Sequence, residues 1–227
     1  MRNIILYGAE PSPYVRKVRL ALAFKGIEYT QIPVFPFSPE KPAEFTENSP
    51  TGKVPLMFID GNYITDSDVI IDFIEREFPQ SALLPNDNLL AARANWFNTY
   101  ASTVMIPAIG GHLFAEVFLA QAFFNRARLQ EDIDLAINQE IPDIFSYLEK
   151  ELADDYLVGD TMTLADLSVG GIFVLMRHCK FNCDQHKWPK VSAYIDRVHG
   201  SELFQSIINE EVEILTQYGV DYANVSV

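Results

Sequence analysis

Ser12 and Pro13 open the amphipathic run "SPYVRKVRLALAFKG", directly behind the short apolar segment "NIILY". A serine hydroxyl in that position has two uses. It can cap the helix by accepting from a backbone N–H. It can also donate to an anion held where the helix dipole favours negative charge. Pro13 at the first helical position suits either use, since its missing N–H would have been unpaired there anyway. Tyr7, which ends the apolar segment, offers a second hydroxyl able to give the same bond, although an aromatic at a strand end ordinarily serves the core.

A second group of residues follows at 53–67. Pro55 pushes Val54 into extended geometry and has no N–H of its own. Val54 can then offer its N–H and C=O to a peptide lying alongside, a one-residue form of strand addition; the plainer alternative is a proline that opens a strand. Asp66 and Ser67 stand at the start of "SDVIIDFIEREF", with Ser67 predicted as the helix N-cap. There a ligand carboxylate can meet the Ser67 hydroxyl and free N–H groups while Asp66 pairs with an ammonium. Such a pair suits a group carrying both charges. Lys53, and less directly Lys41, are cations able to hold a second carboxylate, or are simply solvated.

Other constellations point away from chemistry. The start of the first helix, Ser12-Pro13-Tyr14-Val15, has no cysteine, which disfavours thiol–disulfide exchange. "HCKFNCDQH" gathers Cys179, Cys183, His178 and His186 with C-x3-C-x2-H spacing. One compact cluster without a second knuckle is read as packing, and no metal site is expected. His112 and His199 are read as structural.

The elements that must position these residues fall into two grammars. Up to residue 78, strand candidates at 3–7 and 28–34 flank the first helix and imply a right-handed crossover with parallel pairing. A proline-punctuated stretch (33–42) and a short helical run, "KPAEFTENS", come next. "VPLMFI" and "YIT" then flank "DGN", a hairpin signal because Asp-Gly tolerates positive φ. The order predicts a mixed sheet with helices packed on it. Residues 79–87, bounded by two prolines, read as a linker. From 88 to 227 only helical periodicity is seen, in separate runs that begin with "LLAARANWFNTYASTVM" and "AEVFLAQAFFNRARLQ", and "MTLAD" carries capping-box spacing at Thr163 and Asp166 with staple residues Met162 and Leu167.

Composition narrows the function classes. The 227 residues carry a net charge of −14, concentrated in the helical part: residues 1–80 hold 8 basic and 11 acidic side chains, the remainder 9 and 20. Such a surface repels phosphate backbones and anionic lipids, so neither nucleic acid nor membrane is expected as a partner. The run "LSVGGIFVLM" is too short to span a bilayer, and two cysteines form no disulfide framework. A cytoplasmic location is the expectation.

With a small mixed sheet followed by a helical domain, "NSPTGKVPLMFIDGNYITDSDVIIDFIEREFP", "SPYVRKVRLAL" and "TLADLSV" together resemble the cytosolic glutathione transferases of the Ser type. The resemblance covers the chain to about residue 205. It implies an α/β thioredoxin-like N-terminal domain (1–78), a linker (79–87) and an all-α C-terminal domain (88–227). It further implies glutathione as co-substrate, a cis bond at Val54–Pro55 and a homodimer. Ser12 would stabilise the thiolate, with Tyr7 as the alternative. Lys53, Val54, Pro55, Asp66, Ser67 and, less directly, Lys41 would hold the tripeptide. Asp66 stands where the family more often has Glu or Gln, one methylene longer. Tyr14, Tyr100, Met105 and Ile106 would stand near a small apolar electrophile. The large apolar residues of "LFAEVFLAQAFF" are read mostly as core or dimer packing, with the wall of an apolar substrate pocket as the alternative. Two other readings stay open: a glutathione-dependent isomerase, and a non-catalytic relative that binds a protein partner through its acidic helical face.

Overall fold

The computed structural model describes residues 2–35, 38–225 and 227. The chain divides into two compact units, Met1–Leu83 and Leu84–Val227.

In the first unit a four-stranded sheet runs in the order β2-β1-β3-β4, with β1 at Ile4–Tyr7, β2 at Thr30–Ile32, β3 at Leu56–Ile59 and β4 at Asn62–Thr65. β1 pairs parallel with β2 and antiparallel with β3, and β3 pairs antiparallel with β4. The parallel pair needs a crossover, supplied by α1 (Pro13–Phe24). Val15, Val18 and Leu22 on α1 are buried as their spacing predicts, and α1 ends at Lys25 with Gly26 at φ +66°. The β3–β4 turn has Asp60 at φ +46° and Gly61 at +88°, so "DGN" does make the hairpin. β2 is shorter than the predicted 28–34 run. A short helix α2 (Ala43–Asn48) precedes β3, and α3 (Ser67–Glu77) follows β4, burying Ile70, Ile71 and Ile74. Pro36, in the proline-punctuated stretch, lies outside the described residues.

Residues 79–83, predicted as part of a linker, are held to this unit. Lys25, whose side chain is fully buried, donates to the carbonyls of Phe78 (2.8 Å), Gln80 (3.2 Å) and Ser81 (3.1 Å) and pairs with Glu75 at 2.7 Å. Glu75 also accepts from the Leu83 N–H.

The second unit is helical. Its first helix, α4, runs unbroken over Asn88–Ala122, although the sequence shows two helical runs separated by "IPAIGGHLF". Through Ala101–Leu119 it is π-wound, with Pro107 inside; i→i+5 bonding replaces the i→i+4 ladder there. This helix also corrects the membrane argument: by length and apolarity α4 is long enough to cross a bilayer. Half of its most apolar window is buried, including Met105, Ile109 and Leu113, as in the core helix of a globular unit. α5 covers 130–151, with a π-wound stretch at Ala136–Glu140. Glu116 on α4 is buried and takes both Arg126 terminal nitrogens at 2.6 Å plus the Leu129 N–H at 2.9 Å. These bonds hold the connection between α4 and α5.

α6 (Leu164–His178) starts with the predicted capping box. The Asp166 carboxylate, fully buried, accepts from the N–H groups of Thr163 (2.8 Å) and Leu157 (3.0 Å). α7 (Pro189–Gly200) and α8 (Glu202–Gln217) complete the unit.

Both cysteines are free thiols: Cys179 is buried and Cys183 half-buried, where burial pushes its thiol up to about 12. His178 lies 3.1 Å from the buried Glu211 and 2.8 Å from the Tyr222 hydroxyl. His199 contacts the Gly170 carbonyl at 2.9 Å, and His112 contacts Glu140 at 2.7 Å. Among the described residues no group of three or more His, Cys, Asp or Glu side chains is placed to hold a metal ion.

Candidate functional site in the first unit

Sheet register decides which residues meet. Tyr7 lies opposite Leu56, and Leu56 opposite Thr65. The C-terminal end of β1, the N-terminal end of β3 and the C-terminal end of β4 therefore share one edge of the sheet. The loop carrying Ser12, the Val54–Pro55 step and the Asp66–Ser67 step all leave from that edge. Gly8, the first residue past β1, fills a gap between Val15 and Val54 that admits no side chain.

Ser12 occupies the N-cap position of α1, at φ −66° and ψ 126°, yet its side chain makes no capping hydrogen bond. Its backbone is fully engaged: the N–H donates to the Ala9 carbonyl at 3.0 Å, and its carbonyl accepts from the Arg16 N–H at 2.8 Å. The half-buried hydroxyl has no partner among the described residues. Capping does not occupy it.

The Val54–Pro55 bond is cis, as the resemblance implies. Val54 precedes the first strand residue, Leu56, and neither its N–H nor its C=O bonds to a described residue. Buried backbone groups are nearly always paired, so a buried Val54 in this state suits an added peptide strand. Pro55 is buried beside it.

At α3 the structure corrects the predicted cap. Asp66 is the N-cap, not Ser67, and sits at φ +73° with one carboxylate oxygen accepting from the N–H of Asp68 (2.9 Å) and Val69 (3.4 Å). Ser67 is the first helical residue and is buried. Both types cap well, and the positive φ, which Asp tolerates better than most, puts the carboxylate over the helix end. The helix donors at 68 and 69 are thereby taken. What remains for a ligand is the Ser67 N–H and hydroxyl together with the second Asp66 oxygen, none of which bonds to a described residue.

Beneath this step, the ammonium of Lys17 on α1 pairs with the carboxylate of Asp68 in the first turn of α3. The Lys17 side chain is only 6% exposed, and burial lowers its pKa against the opposing pull of Asp68 and Asp66. Sequence alone hides this pair, since both residues read as surface charges 51 positions apart.

Tyr7 is buried, and burial, with Tyr63 and Glu44 nearby, raises its phenol pKa. Tyr14 is exposed on α1, its phenol raised by burial of part of the ring and by Asp68 and Asp66. The ammonium groups of Lys53 (exposed) and Lys41 (half-buried) bond to no described residue. In the second unit Tyr100 and Met105 are buried and Ile106 half-buried. Burial, then Tyr147 and Asp143, push the Tyr100 phenol up to about 12.

Comparison with known proteins covers both units. Residues 6–82 match the glutathione S-transferase N-terminal domain, and residues 114–202 the C-terminal domain. A glutathione S-transferase Z1 of Arabidopsis thaliana is 32% identical over 71% of this chain and 72% of its own length. A probable maleylacetoacetate isomerase of Caenorhabditis elegans is 28% identical over 83% of this chain and 85% of its own length. Among solved structures, a glutathione S-transferase from Rhodospirillum rubrum superposes with a TM-score of 0.81 at 23% identity, covering 91% of each chain. The sheet-plus-helices arrangement is accordingly the thioredoxin-like domain followed by the helical domain, glutathione is the family's co-substrate, and the chain belongs to the glutathione S-transferase family.

Proposed function

We propose that this protein is a Ser-type glutathione transferase whose Ser12 hydroxyl stabilises the glutathione thiolate for attack on a small apolar electrophile. The observation that carries the reading is the uncapped Ser12 hydroxyl, on the same sheet edge as a Val54 backbone and a Ser67 N–H that no described residue engages.

A free thiol with pKa about 8.5 is only a few per cent ionised at neutral pH. Lowering that value by about two units requires about 2.7 kcal/mol of preference for the charged form. A hydrogen bond to a charged sulfur supplies about 1.5–3 kcal/mol. The α1 N-terminus adds about 0.3–2 kcal/mol, so no general base is needed. The cysteinyl backbone of glutathione would pair with Val54. Its γ-glutamyl carboxylate would take the Ser67 N–H and hydroxyl, and its ammonium the free Asp66 oxygen. Lys53, with Lys41 further off, would meet the glycyl carboxylate. A homodimer belongs to the same proposal.

A second reading, glutathione-dependent isomerisation, is supported by the likeness to the probable maleylacetoacetate isomerase. In that case the thiol adds reversibly, and the product leaves without glutathione attached.

The test is a pH titration of the ultraviolet thiolate absorbance of bound glutathione in wild type and in Ser12→Ala. The expected result is a bound-thiol pKa well below that of the free tripeptide, rising in the variant. Equal depression in both proteins would transfer the role to Tyr7. Absence of glutathione binding would overturn the reading and favour the protein-partner alternative.

A further inference from the structure

Two carboxylates, Asp66 and Asp68, flank Ser67 at the start of α3, and they are not equivalent. Asp66 caps the helix through one oxygen and keeps the other free of described partners. Asp68 points to the Lys17 ammonium. We infer that Lys17 is a positioning residue for glutathione: by holding Asp68, it keeps that carboxylate from the ligand and leaves the second Asp66 oxygen to meet it. This rests on the proposed binding of glutathione at Asp66–Ser67.

The physical reason lies in the ligand's charges. The γ-glutamyl end carries one ammonium and one carboxylate within a few atoms. One acidic side chain serves the ammonium. A second, unneutralised in the first helical turn, would repel the ligand carboxylate and compete with it for the helix donors, because an acidic side chain is itself attracted to a helix N-terminus. Lys17 removes that competition from behind. Its ammonium is shielded from solvent while the Asp68 carboxylate it holds is half exposed, and burial lowers its pKa against the opposing pull of Asp68 and, less, of Asp66. The same contact joins α1, which carries Ser12, to α3, which carries Ser67.

A purely structural tie and a charge-balancing one make opposite predictions for Asp68. Glutathione KM and kcat are measured for wild type, Lys17→Met, Lys17→Arg, Asp68→Asn and Lys17→Met/Asp68→Asn, with folding checked by circular dichroism. Lys17→Met should raise KM about tenfold with kcat changed less than about twofold, the pattern of lost ground-state binding. Lys17→Arg should restore KM. Asp68→Asn, alone or added to Lys17→Met, should bring KM to within about threefold of wild type, because the competing charge is gone. An unchanged KM in folded Lys17→Met overturns the inference. So does an Asp68→Asn enzyme as impaired as Lys17→Met, which marks a mere structural tie. If Lys17→Met does not fold, Asp68→Asn decides alone against wild type: a glutathione KM within about threefold keeps the inference, and one raised about tenfold overturns it. Calorimetric titration of wild type with glutathione separates the two levels: no binding removes the proposed function and this inference together, whereas binding equal in wild type and Lys17→Met removes only the inference.

Discussion

Gly8 lies against Val15 so closely that a methyl group on Gly8 would stand 2.4 Å from the Val15 Cγ2, and 3.3 Å from the Cβ of Val54. The end of β1, the first turn of α1 and the strand-opening residue Val54 thus meet at one point with no room to spare. Gly8→Ala should destabilise the protein by about 1–3 kcal/mol through overpacking, read from urea denaturation. Glutathione affinity should fall with it, since Val54 and the loop to Ser12 are the neighbours that must shift. Unchanged stability would mean that the gap opens freely.

Ser12→Ala should separate stability from activity. A capping serine costs about 1 kcal/mol when removed, but this hydroxyl makes no cap bond. The variant should therefore melt within about 0.5 kcal/mol of wild type. Its kcat/KM should nonetheless drop about 10- to 100-fold, the equivalent of one hydrogen bond to a charged atom. A large loss of stability with little loss of rate would return Ser12 to a capping role.

Asp66 joins two duties that substitution can divide. Asp66→Ala removes the α3 cap and should cost about 1 kcal/mol of stability. Asp66→Asn keeps the cap and tolerates the positive φ, so stability should stay near wild type while glutathione KM rises about tenfold or more for loss of the charged partner. Equal affinity in Asp66→Asn would show that the ammonium is held elsewhere.

Glu116 sets a prediction for acid stability. Its hydrogen bonds from Arg126 hold the carboxyl below the usual carboxylate range despite burial. A folded-state pKa below the unfolded one contributes stability fully above the unfolded value, and that contribution is lost as pH falls through the folded one. Melting temperature in wild type should therefore decline as pH falls below the ordinary glutamate range. Arg126→Met, which removes the cause of the shift, should be less stable at neutral pH and show a shallower acid decline. Parallel curves would assign the acid limb to other carboxylates.

Local grammar made the first unit legible. Apolar runs, a proline-started helix and Asp-Gly in a hairpin each name their own conformation there, and the Thr163–Asp166 box does so in the second unit; the structure contains them all. The Val54–Pro55 and Asp66–Ser67 steps, each an adjacent pair, could be singled out as candidates for the same reason. What was not readable depends on the fold: which of Asp66 and Ser67 caps α3 turns on the positive φ that Asp66 adopts after β4, and the Lys17–Asp68 pair on the packing of α1 on α3. The unbroken α4 was hidden because Pro107 and the Gly110–Gly111 pair are helix breakers by propensity, while π-winding and burial in the second unit carry the chain through them.

Lys25 has a consequence for how this protein can be taken apart. Its ammonium, shut away from water, draws on Phe78, Gln80 and Ser81 as well as Glu75, so the chemical seam between the halves falls after Leu83 rather than at the first proline after α3. A protease nick or a gene fusion made at Pro79 would part the ammonium from two of those three carbonyls, Gln80 and Ser81, and leave it only Phe78 and Glu75. One made beyond Leu83 would leave the clasp shut. Recombination that exchanges helical domains while keeping the thioredoxin-like half intact would have to respect that five-residue overhang.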